Sequence, residues 1–275
     1  MNFTQRLRET QRRTDSLLCV GLDTDVEQLP TSLRRDARGV LEFNKRMIEA
    51  TADLVCGYKL NLAFYEALGE AGWKAMRETL RLISKDLISI GDGKRGDIGN
   101  TSEQYARSLF DELYFDAVTV NPFMGFDSVE PFIRDESRGA FILALTSNPG
   151  SKDFQRLKTG TRPLFEAVVR AASKWNSKKN IGLVVGATHS KDLRRIRKLA
   201  PGLPFLIPGV GKQGGDLQSA IQWGCDRNGL LGVINASRSI LYASKGKDFA
   251  SAARNEATKL RDEIRKYQDK LFAER

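Results

Sequence analysis

Short apolar runs alternate with longer amphipathic segments along the whole chain. The segments carry apolar residues three or four positions apart, as at Leu193, Ile196 and Leu199, which predicts helices packed through one face. The runs have the length of buried strands and cover residues 17–22, 54–62, 87–90, 117–120, 140–145, 181–185, 205–207 and 230–234. Eight such runs, each followed by a helical segment, predict an α/β fold, the (β/α)8 TIM barrel.

Two features refine the predicted fold. Residues 2–14 precede the first run and are predicted to form an extra N-terminal helix with Phe3 and Leu7 facing inward. No linker or low-complexity segment divides the chain, so we predict one barrel domain over residues 1–275. An open, doubly wound sheet is the alternative, and the lack of a GxGxxG motif after the first run disfavours it.

Polar residues follow the apolar runs again and again. In a (β/α)8 barrel the carboxyl ends of all strands meet at one face, and active sites lie there. The chain would bring to this face Asp23, Lys59, Asn61, Asp92, Lys94, Asn121, Thr146, Ser147, Asn148 and Arg238. Their convergence predicts an active site rather than a passive scaffold.

The densest group of charges, residues 92–97, follows the third run. Asp92 and Lys94 are two positions apart, so their side chains leave an extended chain on one face; Asp97 follows in a glycine-flanked loop. Lys59, on the neighbouring second strand, is predicted to lie beside this pair. Alternating charges keep each member ionised, so we interpret Lys94 as a cation that gives up a proton in the reaction. A solvated, charged loop is the alternative.

A glycine-rich segment follows the seventh run. Residues 209–215 contain four glycines and precede Asp216, at the predicted start of a helix. Such a segment can surround an anion with backbone N–H groups. Arg238, after the eighth run, adds a guanidinium that can bind two phosphate oxygens. Because phosphate sites in this fold lie after strands seven and eight, we predict one here. A flexible loop beside a surface arginine is the alternative.

Composition limits the classes of protein to consider. A chain of 275 residues that is 41% hydrophobic can bury a full core. It has no apolar run long enough to span a bilayer, and its polar N-terminus lacks the apolar part of a secretory signal. Three cysteines without CxxC spacing are typical of reduced core residues. These features predict a cytoplasmic protein.

The charge balance is basic, with 44 lysines and arginines against 34 acids and a net charge of +10. Nucleic-acid binding is one interpretation. However, the basic residues are spread along the chain and no basic run is interleaved with aromatics, which favours a basic surface that attracts anionic small molecules. The single histidine, His189, argues against a histidine-based triad or metal site, and we interpret it as structural.

The residues at the predicted strand ends resemble one enzyme family. Asp92-Gly93-Lys94-Arg95-Gly96-Asp97-Ile98 matches the DxKxxDI signature of orotidine 5′-monophosphate decarboxylases. Further agreement follows the family's order through Val20-Gly21-Leu22-Asp23, Lys59, Thr101, Ser147-Asn148-Pro149-Gly150, Pro208-Gly209-Val210-Gly211-Lys212-Gln213-Gly214-Gly215 and Arg238. The chain is most similar to the longer bacterial branch, although Ser237 stands where many members have glycine. DxKxxD alone also occurs in related sugar-phosphate lyases, whereas DxKxxDI together with PGVGxQGG is a strong signal.

This resemblance implies decarboxylation of orotidine 5′-monophosphate to UMP in pyrimidine biosynthesis by a homodimer, without metal or cofactor. Lys59, Asp92 and Lys94 would form a charged network beside C6 of the pyrimidine, and Lys94 would protonate the C6 carbanion. Asp97 would complete that network in the other subunit. The implied substrate-binding residues are Asp23 and Lys59 for the ribose, Thr101 from the other subunit, Ser147 for the pyrimidine amide edge, and Gln213 and Arg238 for the 5′-phosphate.

Two other functions are alternatives. A metal-dependent sugar-phosphate decarboxylase or aldolase of the same barrel group would lose its activity with a chelator. A basic barrel that binds RNA without catalysis would show an affinity that falls steeply with salt. The RNA-binding function leaves Asp92 and Asp97 unexplained, so we expect a small-molecule substrate, and neither a nucleic acid nor a membrane as partner.

Overall fold

Eight parallel strands close into a barrel in the computed structural model, which describes residues 1–187, 190–209 and 216–272. Each strand pairs with the next one along the chain, and the last pairs with the first. The strands are β1 Leu18–Gly21, β2 Gly57–Asn61, β3 Ile88–Arg95, β4 Ala117–Val120, β5 Gly139–Leu145, β6 Ile181–Val185, β7 Phe205–Pro208 and β8 Gly232–Ala236. The predicted (β/α)8 barrel is confirmed.

Helices surround the barrel and bury their apolar faces against it. Leu193 and Ile196 are buried as their spacing predicts, and Leu199 packs at the edge of the same core. The helices are α1 Phe3–Thr14, α2 Ala37–Thr51, α3 Leu62–Glu66, α4 Gly69–Leu82, α5 Gly99–Arg107, α6 Phe126–Ile133, α7 Leu164–Trp175, α8 Ser190–Leu199, α9 Leu217–Gly224, α10 Arg238–Leu241 and α11 Phe249–Phe272. No helix within the described residues is long and apolar enough to cross a membrane.

Among the described residues, short turns of other helical types lie in three of the connections. A 3-10 turn, Val26–Gln28, lies between β1 and α2. A π-helical turn, Ser108–Glu112, continues α5, and a 3-10 turn, Pro149–Lys152, follows β5. The same β5–α7 connection contains a small antiparallel hairpin of Lys158–Thr159 and Arg162–Pro163. The β5–α7 connection therefore projects from the rim at which the strands end.

Alternate strand residues point into the barrel and form layers of contrasting polarity. The lower layers are apolar and contain Cys19, Ile88, Ile90, Ala117, Phe141, Val184, Leu206 and Val233. Because side chains alternate along a strand, the next inward positions towards the carboxyl ends are Asp92 after Ile90, Thr119 after Ala117 and Asn235 after Val233. The polar residues of the barrel interior therefore gather at one end.

The N-terminal helix closes the opposite end. Phe3 and Leu7 are fully buried, as predicted, and the Phe3 ring packs edge-on against Phe141 at a centroid distance of 5.9 Å. The backbone N–H of Phe3 donates to Glu136 O at 2.8 Å, just before β5, and Arg6 pairs with Asp116, just before β4. Helix α1 therefore covers the amino ends of the strands.

Strand β3 extends further than its apolar run predicts. The run ends at Ile90, but the strand continues to Arg95 through the charged residues Asp92 and Lys94. Its pairing with β4 shifts register between Gly91 and Arg95, and Lys94 has a φ of 47°. Hydropathy misses this extension because it treats a charged residue as a surface residue, whereas Asp92 is buried and paired with Lys59 and Lys94.

Replacement of Phe3 by alanine tests the role of α1. The Phe3→Ala protein is expected to lose about 3–5 kcal/mol of unfolding free energy, because a cavity would open beneath the barrel. Urea denaturation measures this loss. Phe154→Ala, which truncates an exposed phenylalanine, is the control and should change the unfolding free energy by less than about 0.5 kcal/mol. Equal losses of unfolding free energy in the two variants would contradict the role of α1 in closing the amino end of the barrel.

Candidate active site

Four side chains of alternating charge lie in a row across the ends of β1, β2 and β3. Lys59 Nζ donates to Asp23 Oδ1 and to Asp92 Oδ2, each at 3.0 Å. Lys94 Nζ donates to Asp92 Oδ1 at 2.5 Å. We call Asp23, Lys59, Asp92 and Lys94 the ionic row. The predicted contact of Lys59 with the Asp92–Lys94 pair is present, and Asp23 forms the other end of the row.

Burial makes the two central members depend on each other. Lys59 is 3% exposed and Asp92 is 9% exposed. Burial by itself would lower the pKa of Lys59, but Asp23 and Asp92 outweigh it and hold that pKa above its ordinary value. Burial would likewise raise the pKa of Asp92, but Lys59 and Lys94 lower it to about 2. Both groups are therefore ionised across the physiological pH range.

Lys94 differs from Lys59 in its access to the opening. The Lys94 side chain is 45% exposed, whereas that of Lys59 is 4% exposed. One ammonium is thus enclosed between two carboxylates, and the other is anchored through Asp92 with part of its surface free. A cation with a free side beside a buried carboxylate can donate a proton to a bound molecule.

Hydroxyl and amide groups that the sequence analysis did not assign to the row support its carboxylates. Thr119 Oγ1 donates to Asp92 Oδ1 at 2.9 Å, and Ser237 Oγ donates to Asp23 Oδ2 at 3.0 Å. Asn235 Nδ2 in turn lies 3.4 Å from Ser237 Oγ. Thr119 lies within an apolar run and Asn235 directly follows one, so hydropathy does not single them out. They can be found by following the inward-facing positions, every second residue, along each strand towards its carboxyl end.

The approach of Ser237 depends on a glycine in β1. A Cβ atom at Gly21 would lie 2.0 Å from Ser237 Oγ, so a larger residue would push the hydroxyl away from Asp23. Tyr242 Oη donates to the backbone oxygen of Asp23 at 3.2 Å and accepts from Asp25 N at 2.8 Å. Asp23 is thus held through its side chain and its backbone.

A cavity of about 880 Å³ lies beside the row. Asp23, Lys59 and Asp92 line it, together with Ser237 and Arg238, whereas Lys94 is outside this lining. Arg238 begins α10 directly after β8 and is exposed, so its guanidinium faces solvent at the rim. Gly209, which also lines the cavity, has a φ of 85°. That conformation favours glycine and turns the chain after β7.

Some predicted site residues lie away from this cavity. Asp97 lies between β3 and α5, where its carboxylate accepts the backbone N–H of Ile98 at 2.8 Å and pairs with none of the described lysines or arginines. Thr101 is exposed on α5. Ser147 follows β5, half-buried against Gly186, and does not line the cavity.

Two residues discussed from the sequence, Gln213 and His189, lie outside the described residues, as does most of the glycine-rich segment. Asn61 has a local role, because its side chain accepts the backbone N–H of Ala63 at 3.2 Å and caps α3. Within the described ranges, no three His, Cys, Asp or Glu side chains form a group that could hold a metal ion.

The fold and the ionic row define the class of protein, a (β/α)8-barrel enzyme with its site at the carboxyl ends of the strands. The model of the orotidine 5′-phosphate decarboxylase / HUMPS family matches residues 16–253, and the chain belongs to this family. The resemblance drawn from the DxKxxDI signature is thereby confirmed.

Individual relatives agree with this assignment. The chain is 55% identical over 247 residues to a protein of Dehalococcoides mccartyi named orotidine 5′-phosphate decarboxylase, covering 88% of this chain and 90% of that protein. It is 48% identical over 243 residues to a protein of the same name from Herpetosiphon aurantiacus, covering 88% and 90%. The solved structure of Leishmania donovani OMP decarboxylase superposes with a TM-score of 0.86 at 39% identity, covering 98% of this chain and 99% of that one.

The charge pairing in the row predicts how stability varies with pH. Because the folded-state pKa of Asp92 lies below its ordinary value, its carboxylate stabilises the fold above about pH 4, and this stabilisation is lost as the pH falls towards about 2. The pKa of Lys59 is raised instead, so its contribution is constant in this range and is lost only at strongly alkaline pH.

Asp92→Asn is therefore expected to be less stable than wild type by a margin that depends on pH. The margin, measured by urea denaturation, should shrink by about 1 kcal/mol between pH 6 and pH 3. Asp269→Asn, which changes an exposed carboxylate of α11, is the control and should show no such dependence. A margin that is the same at both pH values would mean that the lysines do not hold Asp92 ionised.

Proposed function

We propose that the protein decarboxylates orotidine 5′-monophosphate to UMP, a step of pyrimidine biosynthesis that takes place in the cytoplasm. The observation that carries this proposal is the buried ionic row at the mouth of the barrel, with a lysine at its accessible end. Family membership and the names of the relatives at 55% and 48% identity support it. They favour it over a sugar-phosphate aldolase of the same barrel group.

The proposed chemistry uses Lys94 as the proton donor. The bond between C6 of the pyrimidine and its carboxylate breaks, carbon dioxide leaves, and the electron pair stays on C6. Lys94 Nζ donates a proton to C6, which completes UMP, and Lys94 regains a proton from solvent. The Lys94 ammonium is held by a 2.5 Å hydrogen bond to Asp92 before the reaction begins. In the proposed complex, its positive charge therefore lies beside C6, where negative charge develops.

The proposal needs neither a metal nor an organic cofactor. The oxygens of Asp92 already accept hydrogen bonds from Lys59, Lys94 and Thr119, which leaves this carboxylate poorly suited to ligate a cation. The ammonium groups of the row supply the positive charge that a metal would bring to a developing carbanion.

The remaining cavity residues are proposed to bind the ribose and the phosphate. Asp23 and Lys59 line the cavity, where hydroxyl groups of the ribose would meet a carboxylate and an ammonium. Arg238 also lines the cavity and would hold the 5′-phosphate together with Gln213. Ser147 would contact the amide edge of the pyrimidine. The phosphate is remote from the bond that breaks, so its binding energy can serve to order the site.

We further propose that two copies of the chain form a homodimer in which Asp97 and Thr101 contribute to the partner's site. Support comes from the exposed apolar side chains on the same rim, since such patches mark protein interfaces. They are Ile98, Tyr105, Phe123, Met124 and Phe126. Helices α5 and α6 are neighbours, because Ser102 Oγ on α5 donates to Ser128 O on α6 at 2.9 Å.

Turnover of orotidine 5′-monophosphate tests the activity directly. Purified wild-type protein, without added cofactor and with a chelator present, is expected to convert the orotate ring to uracil, followed as a loss of absorbance. Lys94→Ala should lower kcat by at least about 10²- to 10⁴-fold, because the proton donor is gone. Its circular dichroism spectrum should match that of wild type, whereas its melting temperature should fall, because Asp92 loses one of its two cationic partners and keeps Lys59.

The control for that experiment is Lys74→Ala, which removes an exposed lysine of α4 and should retain full turnover. Absence of turnover by the wild-type protein would contradict the proposed function. Loss of activity with the chelator alone would favour the metal-dependent alternative.

Mixed dimers test the shared site. Co-expression of Asp97→Ala and Lys94→Ala chains is expected to restore about a quarter of wild-type activity, because half the dimers are mixed and one of their two sites is intact. Lys59→Ala with Lys94→Ala is the matched control and should stay inactive, since both residues belong to one subunit's site. No recovery in the first mixture would contradict the contribution of Asp97 across the interface.

A further inference from the structure

Thr119 lies at the centre of the site although it does not line the cavity. It is an inward-facing residue of β4, only 1% exposed. Its hydroxyl donates to Asp92 Oδ1 at 2.9 Å and accepts the backbone N–H of Lys94, also at 2.9 Å. One side chain thus contacts the two residues of β3 that carry the opposite charges.

The second of these hydrogen bonds replaces a missing backbone contact. Strand β4 pairs with β3 at Gly91 and again at Arg95, so three residues of β3 bulge opposite Thr119. Lys94 is the last of the three and has a φ of 47°, a left-handed conformation that is unfavourable for a non-glycine residue. The Thr119 hydroxyl gives the Lys94 N–H an acceptor that the interrupted ladder does not provide.

The contacts form a closed ring. Asp92 Oδ1 accepts from Lys94 Nζ at 2.5 Å and from Thr119 Oγ1, while Thr119 Oγ1 accepts from Lys94 N. The hydroxyl therefore fixes the orientation of the Asp92 carboxylate and the backbone from which the Lys94 side chain starts. The backbone N–H of Lys94 is thus bonded to Thr119 directly, and the Lys94 ammonium is linked to Thr119 through Asp92.

We propose that Thr119 is a positioning residue that places the Lys94 ammonium for proton transfer, an inference that rests on the proposed function. A proton donor must lie within hydrogen-bond reach of the reacting atom, and a displacement of about 1 Å can cost about 10²-fold in rate. Because Thr119 is outside the cavity lining, its loss should affect the rate of the chemical step more than substrate binding.

Two substitutions separate the hydroxyl from the bulk of Thr119. Thr119→Val keeps the shape but removes the hydroxyl, and is expected to lower kcat by about 10- to 100-fold while KM changes by less than about threefold. Thr119→Ser keeps the hydroxyl and should retain kcat within about threefold of wild type. A residue that serves only packing would give the opposite order, because serine removes a buried methyl group and valine does not.

The matched control is Thr51→Val. Thr51 is a buried threonine of α2 whose hydroxyl donates to Met47 O at 2.7 Å, away from the ionic row. Its replacement should lower the melting temperature and leave kcat within about twofold of wild type. All assays are run well below the melting temperature of each variant. If Thr119→Val does not fold, the kcat of Thr119→Ala is compared with that of Thr119→Ser instead, because only the serine variant keeps the hydroxyl.

The outcomes separate this inference from the function on which it rests. Wild-type protein without turnover would overturn the proposed function, and the role of Thr119 with it. Wild-type turnover together with an undiminished kcat of Thr119→Val would overturn the role of Thr119 alone. So would a Thr119→Ser protein as slow as Thr119→Val.

Discussion

The enclosure of Lys59 between two carboxylates is the constraint on which the site depends. An ammonium that is 3% exposed would be strongly destabilising without partners, and Asp23 and Asp92 supply them from the strands on either side. Each carboxylate in turn needs the donors that surround it. The ends of β1, β2 and β3 are therefore held in one arrangement, because a shift of any strand would leave a buried charge without its partner.

The barrel makes such a row possible by separating an apolar interior from a polar rim. Helix α1 closes the amino end, and rings such as Phe3 and Phe141 fill the lower layers. The layer above them carries Lys59, Asp92, Thr119 and Asn235, at depths where water is largely excluded. Charges in this position act on a ligand with little screening, which is the physical basis for electrostatic stabilisation of a carbanion.

Support for the row comes from neutral groups as much as from charges. Thr119 and Ser237 each donate to an outer oxygen of a carboxylate, so Asp92 and Asp23 are fixed from strands on opposite sides of the row. Gly21 leaves the space that Ser237 occupies. In the proposed function, the row is held rigidly beside the substrate. The exposed patch around Asp97 is proposed to contact a second copy of the chain.

Local patterns in the sequence are enough to predict the barrel, its N-terminal helix and the charged members of the site. Eight apolar runs alternate with segments of helical spacing. Each run predicts a strand, since parallel strands that are buried on both faces are continuously apolar. Asp23, Lys59, Asp92, Lys94 and Arg238 could be identified because charged residues are conspicuous at the ends of such runs.

The groups that support those charges are found only from contacts between strands. The extension of β3 to Arg95, the bulge opposite Thr119 and the left-handed Lys94 arise from contacts between strands, which hydropathy does not register. Thr119 and Ser237 are small polar residues whose roles depend on which oxygen lies within about 3 Å, a distance set by strand register. Local patterns predict which residues meet at the rim, and three-dimensional packing decides which atoms touch.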